Sequence, residues 1–347
     1  MKRNSLLVVV LPVMLLIIFY AGCKSPTGPV ELQPGRRDYT WTVDTLNVPY
    51  RVLEDIWGSS PTDLWCVGPG NDNPIYHFNG QKWTDYDIPP PSLSPTAVFG
   101  FSENNVWFGG TYGDDIWHYD GSVLSRFQNY AIPGYPLTGI QNIWGDNPNN
   151  VFAVGFADSS NISRGVIQHF DGSSWKIVYM TPLVSIREAY IRIFRNNISN
   201  DHNYYLLSFY AVDADSAKIC QYDGENEVKE IYSSVASQAN LSIINNEVYF
   251  TLGNQICIRQ NNAFSVFLSV PGNNFLGGIG GRNNKDIILE MKDGIAHYNG
   301  NNIEYLYHFN HPGISISGYP VIFEKEVFIL AYDFQNNLNL IFRGELK

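Results

Sequence analysis

The sequence predicts an all-β chain: a seven-bladed β-propeller of four-stranded blades, closed by an N-terminal strand in the last blade. Three observations lead there. First, a four-residue phrase recurs at His77-Phe78-Asn79-Gly80, His118-Tyr119-Asp120-Gly121, His169-Phe170-Asp171-Gly172, Gln221-Tyr222-Asp223-Gly224 and His297-Tyr298-Asn299-Gly300. Weaker copies stand at Arg259-Gln260-Asn261-Asn262 and Ile341-Phe342-Arg343-Gly344. The seven copies average about 44 residues apart, the length of a four-stranded blade. Second, another phrase keeps the same period upstream. Ile56-Trp57-Gly58 leads to Trp65, Phe99 leads to Trp107, and Ile143-Trp144-Gly145 leads to Phe152, each across a run of turn-forming residues. Third, no capped helical period follows residue 35, and the 14% aromatic content favours strands.

Residues 1–22 read as an export signal: Lys2 and Arg3, an apolar run from Leu6 to Phe19, then Ala21-Gly22. The run is about 14 residues, short of the roughly 20 needed to span a bilayer. Tyr20-Ala21-Gly22-Cys23 resembles a bacterial lipobox, with Tyr20 where an aliphatic residue is usual. The resemblance implies that the Cys23 thiol carries a diacylglyceryl group and that Cys23 is the mature N-terminus. The alternatives are an ordinary cleaved signal or an uncleaved anchor. Residues 23–37, with Pro26, Pro29 and Pro34 and no apolar period, read as a flexible tether. Lys24 stands where Asp would favour inner-membrane retention, so the same resemblance implies the outer membrane of an envelope.

The propeller is assigned to residues 38–347. In its first unit the strands fall near Leu53–Gly58, Leu64–Gly68, Ile75–Phe78 and Lys82–Ile88, with the Asn-Gly or Asp-Gly pair making the hairpin between the third and fourth. The seventh unit has three strands in line, near 319–323, 327–332 and 338–343. The orphan segment from Tyr39 to Thr45 supplies its missing outer strand and leaves no open seam. Blades 4 and 5 keep only the spacing, and an error in the blade count is expected there.

The phrases Ile56 to Trp65, Ile143 to Phe152 and His169 to Trp175 resemble repeats of exported bacterial β-propeller lipoproteins. The resemblance is good over blades 1 to 3 and fair over blade 6. It implies the fold and an extracytoplasmic place, but little chemistry.

The chain's balance is acidic, 22 Lys+Arg against 33 Asp+Glu for a net −11, so the cation surplus a nucleic-acid partner requires is missing. Loss of residues 1–22 would remove two cations and no acid, and attachment to anionic lipid would then rest on acyl chains rather than a basic patch. His77, His118, His169 and His297 share one repeat position on the third strand, too far apart between blades for one ion. They read as structural groups bonding within each blade. Trp57, Phe99 and Trp144, with Trp65, Trp107 and Phe152, read as blade packing rather than a sugar platform. Asp72, Asp114, Asp115, Asp158, Asp213 and Asp215 are placed in loops between second and third strands as solvated turn residues, without the glycine and distal Glu of a calcium loop.

Leu276 to Gly281 is glycine-rich, precedes no helix, and reads as a close approach of strands to the axis. Cys66, Cys220 and Cys257 read as buried small hydrophobes, with a disulfide left open. Motifs of sialidases, serine hydrolases and zinc proteases do not occur. No catalytic residue, metal ligand or cofactor is assigned; Cys23 is the one site residue. The expected function is a membrane-anchored binding or scaffold module, monomeric, with an unknown protein or glycan on the loop face. The alternatives are a carbohydrate-binding or glycosyl-transfer propeller and an envelope assembly factor. The face carrying the blade-joining loops Pro89-Pro90-Pro91, Tyr130 to Pro136 and Phe309 to Pro312 is the expected binding surface.

Overall fold

The computed structural model describes residues 32–347 apart from 47, 49–50, 71–74, 87–92, 112–114, 130, 160–161, 184–186, 199–200, 211–215 and 235–238. The signal segment, Cys23, Asp72, Pro89 to Pro91, Asp114, Tyr130, Asp213 and Asp215 lie outside the described residues.

Six blades are antiparallel meanders of four strands running from inner to outer. Blade 1 is Asp55–Ser60, Asp63–Val67, Ile75–Phe78 and Trp83–Asp85. The inner strands of blades 2 to 6 are Ser94–Ser102, Leu137–Asn147, Glu188–Arg195, Ala239–Ile244 and Phe275–Asn283. Blade 7 closes as the sequence predicts: Tyr39–Leu46 pairs antiparallel with Leu338–Leu346, from Tyr39 opposite Leu346 to Leu46 opposite Asn339. Its inner strand is broken into Ile314–Ile316 and Val321–Ile322, both laid on Glu326–Asp333.

The near-continuous apolar run along each second strand explains why the sheets stack. One side of each strand meets the preceding blade and the other the next, so both must be apolar. Leu64 to Val67, Val106 to Phe108 and Val327 to Ala331 are accordingly buried on both sides. Trp65, fully buried, packs edge-on to Phe108 of the following blade at 5.4 Å, and Trp107 meets Phe170 of blade 3 at 4.9 Å.

Every junction between blades also carries a side-chain-to-backbone hydrogen bond, which the sequence did not reveal. From the first junction round to the last, Asp55 accepts from the Val98 N–H at 2.9 Å and Thr96 donates to the Ile140 carbonyl at 2.5 Å. Asn142 accepts from Ile193 at 3.2 Å, and Asn196 from Val248 at 3.0 Å. Thr251 donates to Gly277 at 2.8 Å and Arg282 to Phe323 at 2.6 Å. Asn339 accepts from Leu53 at 2.8 Å, across the seam. Neighbouring blades share almost no backbone ladder, so backbone groups at their junctions need partners from side chains.

Two expectations are corrected. An Asp-Gly or Asn-Gly hairpin pair is expected to supply positive φ at both residues, yet in these pairs only the glycine takes it, as at Gly121 (φ 93°) and Gly172 (φ 90°), whereas in blade 5 Asn261 and Asn262 both do (φ 51° and 62°). The acid instead accepts from the backbone beyond the turn: Asp120 Oδ1 takes the Ser122 and Val123 N–H groups at 2.9 and 2.8 Å. These bonds hold the Asp120 carboxyl down at about 2. Residues 35–37, assigned to the tether, are instead bound to blade 6. The Gly35 N–H donates to the Lys285 carbonyl at 2.9 Å, and Arg37 donates to the carbonyls of His297 and Asn302 at 3.0 and 2.6 Å. A side chain at position 35 would meet His297 Cε1 and the Lys285 oxygen at 2.8 Å, so only glycine allows that approach.

Candidate ligand-binding site

The four repeat histidines bond within their own blades. Nε2 of His77 meets Asp63 Oδ1 at 2.6 Å, His118 meets Asn105 at 2.9 Å, His169 meets Asn150 at 2.7 Å and His297 meets Asp286 at 2.7 Å. Each partner opens the second strand of the same blade. His77 and His169 also stack on Trp65 and Phe152, with ring centroids 4.2 and 4.5 Å apart. The row is a repeated clasp. Trp65, Trp107 and Phe152 are buried, and Trp57 packs on Phe99 at 6.5 Å, leaving no aromatic platform there. Among the described residues no group of three His, Cys, Asp or Glu converges as a metal site. Asp115 is a buried strand residue rather than a solvated loop residue: it accepts from Asn129 at 3.1 Å and Arg126 at 3.4 Å. Asp158 likewise lies within the second strand of blade 3. Cys66, Cys220 and Cys257 are buried free thiols on three different blades.

The chemistry gathers at the axis instead. A cavity of about 790 Å³ lies over blades 4 to 6, entered from the face that carries the blade-joining loops. Its wall includes Arg192 and Leu207 of blade 4, Asn240 and Thr251 of blade 5, Phe275 and Lys292 of blade 6, and Tyr319 of blade 7. This cavity opens on the face of the blade-joining loops, but over different blades from the loops singled out in the sequence; cavities of about 520 and 320 Å³ open among the hairpin turns of the opposite face.

Arg192 is the central group. Its guanidinium Cζ lies over the Tyr319 ring, 3.3 Å from the centroid, a cation–π contact that holds the charge at the cavity wall. Tyr319 reaches the axis because the inner strand of blade 7 is interrupted between Ile316 and Val321. Its hydroxyl donates to Asn240 Oδ1, fixing the ring from the far end. Burial pushes the Tyr319 hydroxyl up to about 12 despite the Arg192 charge, so it remains a donor at neutral pH.

Two acids feel Arg192 without pairing to it. Burial pushes Glu290 up to about 8, opposed only by Arg192. Its carboxyl occupies the space beside Gly278, where a Cβ would come within 1.9 Å of Oε2. That is a second reason, besides the approach to the axis, for the glycine run. Burial also pushes Asp55 up to about 6, against the Val98 N–H and Arg192, which both favour the anion. Arg192 further lines a smaller cavity of about 330 Å³ with Glu54, Asp55, Gln141, Asn142 and Ser317, so it stands between an acidic and a cationic compartment.

The signal for Arg192 was in the repeat. Asp55 and Asn142 both stand directly before the inner-strand phrase, and both accept a backbone N–H of the next blade. Arg192 holds the same position in Arg192-Ile193-Phe194, but a guanidinium only donates and cannot make that bond. Asn196 makes the junction to blade 5 in its place.

No family model matches the chain, and no curated protein matches it. Solved structures do. YCF48 bound to D1 peptide superposes with a TM-score of 0.62 at 14% identity, over 91% of this chain and all of that one. Catalytically inactive virginiamycin B lyase from Staphylococcus aureus with quinupristin gives 0.64 at 14%, over 88% and 99%. The WD40 β-propeller domain of Doa1 gives 0.57 at 14%, over 88% and 97%. At this identity the likeness shows the fold alone, a β-propeller.

Proposed function

We propose that the chain is an extracytoplasmic binding propeller, held to the cell envelope by acyl chains on Cys23, whose ligand enters the axial cavity over blades 4 to 6. The observation that carries this reading is Arg192: a cation held in place by Tyr319, in the wall of a 790 Å³ cavity, at a repeat position where its neighbours serve packing. The volume falls in the range of small-ligand sites, roughly 300–1,000 Å³, so the cavity takes a small molecule or the end of a chain. That YCF48 is seen with a peptide is in keeping with a propeller used this way. For the anchor, the support is the lipobox-like Tyr20 to Cys23 and an acidic chain that needs lipid rather than cations to stay on a membrane. The outer membrane is favoured by Lys24 after the cysteine.

Asn273 lines the cavity and is exposed, so Asn273→Trp should block the entrance without touching the core. Mild crosslinking in cells, followed by purification of the full chain, should capture a partner or ligand that this variant loses. An identical catch from both forms would move the binding surface elsewhere. Cys23→Ala should release the protein from membranes and abolish labelling by a fatty-acid precursor; labelling that persists would remove the anchor.

A further inference from the structure

The reading of the cavity as a ligand site leads to its ligand chemistry, which rests on that reading. We propose that the cavity binds its ligand through a carboxylate, received by Arg192 at depth and steered by Lys292 at the entrance.

The two cations in the wall have no acid beside them in that wall. Arg192 makes no hydrogen bond or ion pair to a carboxylate among the described residues, and a guanidinium with five N–H donors, held over Tyr319 in the cavity wall, has donors to offer carboxylate oxygens. Lys292, in the turn after the second strand of blade 6, is exposed. Its neighbour Asp293 is occupied by the Tyr305 hydroxyl at 2.6 Å and the Asn274 amide at 2.9 Å. The acids that could neutralise Arg192 lie to the side: Glu54 and Asp55 in the companion cavity, and Glu290, mostly uncharged at neutral pH. A carboxylate arriving from the entrance therefore meets a prepared cation in a setting that excludes much of the water.

The rest of the wall describes the body that carries the carboxylate. Thr251 and Asn254 spend one donor each on Gly277 and Gly272, and Asn254 and Asn273 both line the space. Phe275 and Leu276 add an apolar strip. This is a setting for a small body rich in amides or hydroxyls, such as the free C-terminal end of a peptide or a uronic acid unit of a glycan. The two share the carboxylate, and experiment can separate them.

The test uses the full chain in detergent with three probes: randomised tetrapeptides with free C-termini, the same peptides amidated, and oligogalacturonate with its methyl ester as control. Equilibrium binding should find one carboxylate probe that binds and loses at least about tenfold in affinity when amidated or esterified. Arg192→Gln should cost a similar factor, with partial recovery in Arg192→Lys. Lys292→Gln, at an exposed position that cannot compromise folding, should cost a few-fold and flatten the salt dependence. Preference for the peptide or the uronate names the source.

The proposal is overturned if the blocked probes bind as well as the free ones, if a folded Arg192→Gln binds like the wild type, or if no carboxylate probe binds at millimolar concentration. Asn273→Trp separates the two levels. Carboxylate-independent binding that this variant abolishes leaves the cavity as the site and removes only the carboxylate. Binding that it leaves intact removes the site as well.

Discussion

Blades 1 to 3 and blades 4 to 6 use one backbone plan for different ends. In the first set the inner and second strands repeat their aromatic residues, the histidine clasps to the opening residue of the second strand, and Asp55 and Asn142 tie blades 1 and 3 to the blades that follow them. In the second set the same positions hold Arg192, Leu241 and Gly278, the clasp survives only at His297, and the axis opens into a cavity. Repetition marks what every blade needs in order to pack. A site needs residues that differ from blade to blade, so it lies where the repeat fades.

The largest effect should come from opening the ring. Deleting residues 36–46 removes the whole outer strand of blade 7 and the Arg37 bonds to blade 6. We expect a fall in Tm of roughly 10 °C or more, equivalent to several kcal/mol in a domain of this size. An unchanged melting temperature would contradict the closure.

The comparison between halves is sharpened by a pair of substitutions. Trp107→Ala in blade 2 empties a buried site packed by His118, Phe127, Phe170 and Trp175, and should cost about 3–5 kcal/mol in denaturant titration. Arg192→Gln in blade 4 gives up mainly the stack on Tyr319 and should cost about 1 kcal/mol. Similar losses from both would erase the distinction.

Glu290 supplies a pH signature of the second half. Its folded pKa, about 8, lies above the unfolded value of about 4.3. The folded state therefore binds more protons between those values, and stability falls as pH rises from about 4.3 to about 8. Glu290→Gln should remove that part of the slope and stabilise the protein at pH 8 by an amount on the order of 2–4 kcal/mol. A slope that survives in the variant would assign it to another group. The smallest effect should be at the exposed Lys176–Asp171 pair of blade 3, where Lys176→Ala should leave Tm unchanged.

The fold was legible because packing repeats. Phrases at Gly80, Gly121 and Gly172 set the period, and the orphan strand at Tyr39 supplied the closure. The site was legible only in outline. The candidate cavity lies on the face of the blade-joining loops, but not in the sector of the proline- and aromatic-rich loops such as Tyr130 to Pro136. Arg192 is one of two arginines in its strand. Its meaning came from its contacts across the axis with Tyr319 and, through that ring, Asn240, residues 127 and 48 positions away in the chain. The repeat marks Arg192 only as a departure from Asp55 and Asn142; the meeting with Tyr319 leaves no local pattern in a sequence. Glu290 was hidden for the same reason, since its partner in space is the missing side chain of Gly278.

The central claim is that ligands enter over blades 4 to 6 and not over the regular half. A photo-reactive residue at Asn273, in the loop between blades 5 and 6, can be compared in cells with one at the exposed Pro133, on the same face between blades 2 and 3. The account predicts light-dependent adducts from position 273 and none from position 133. Adducts from 133 with none from 273 would contradict it.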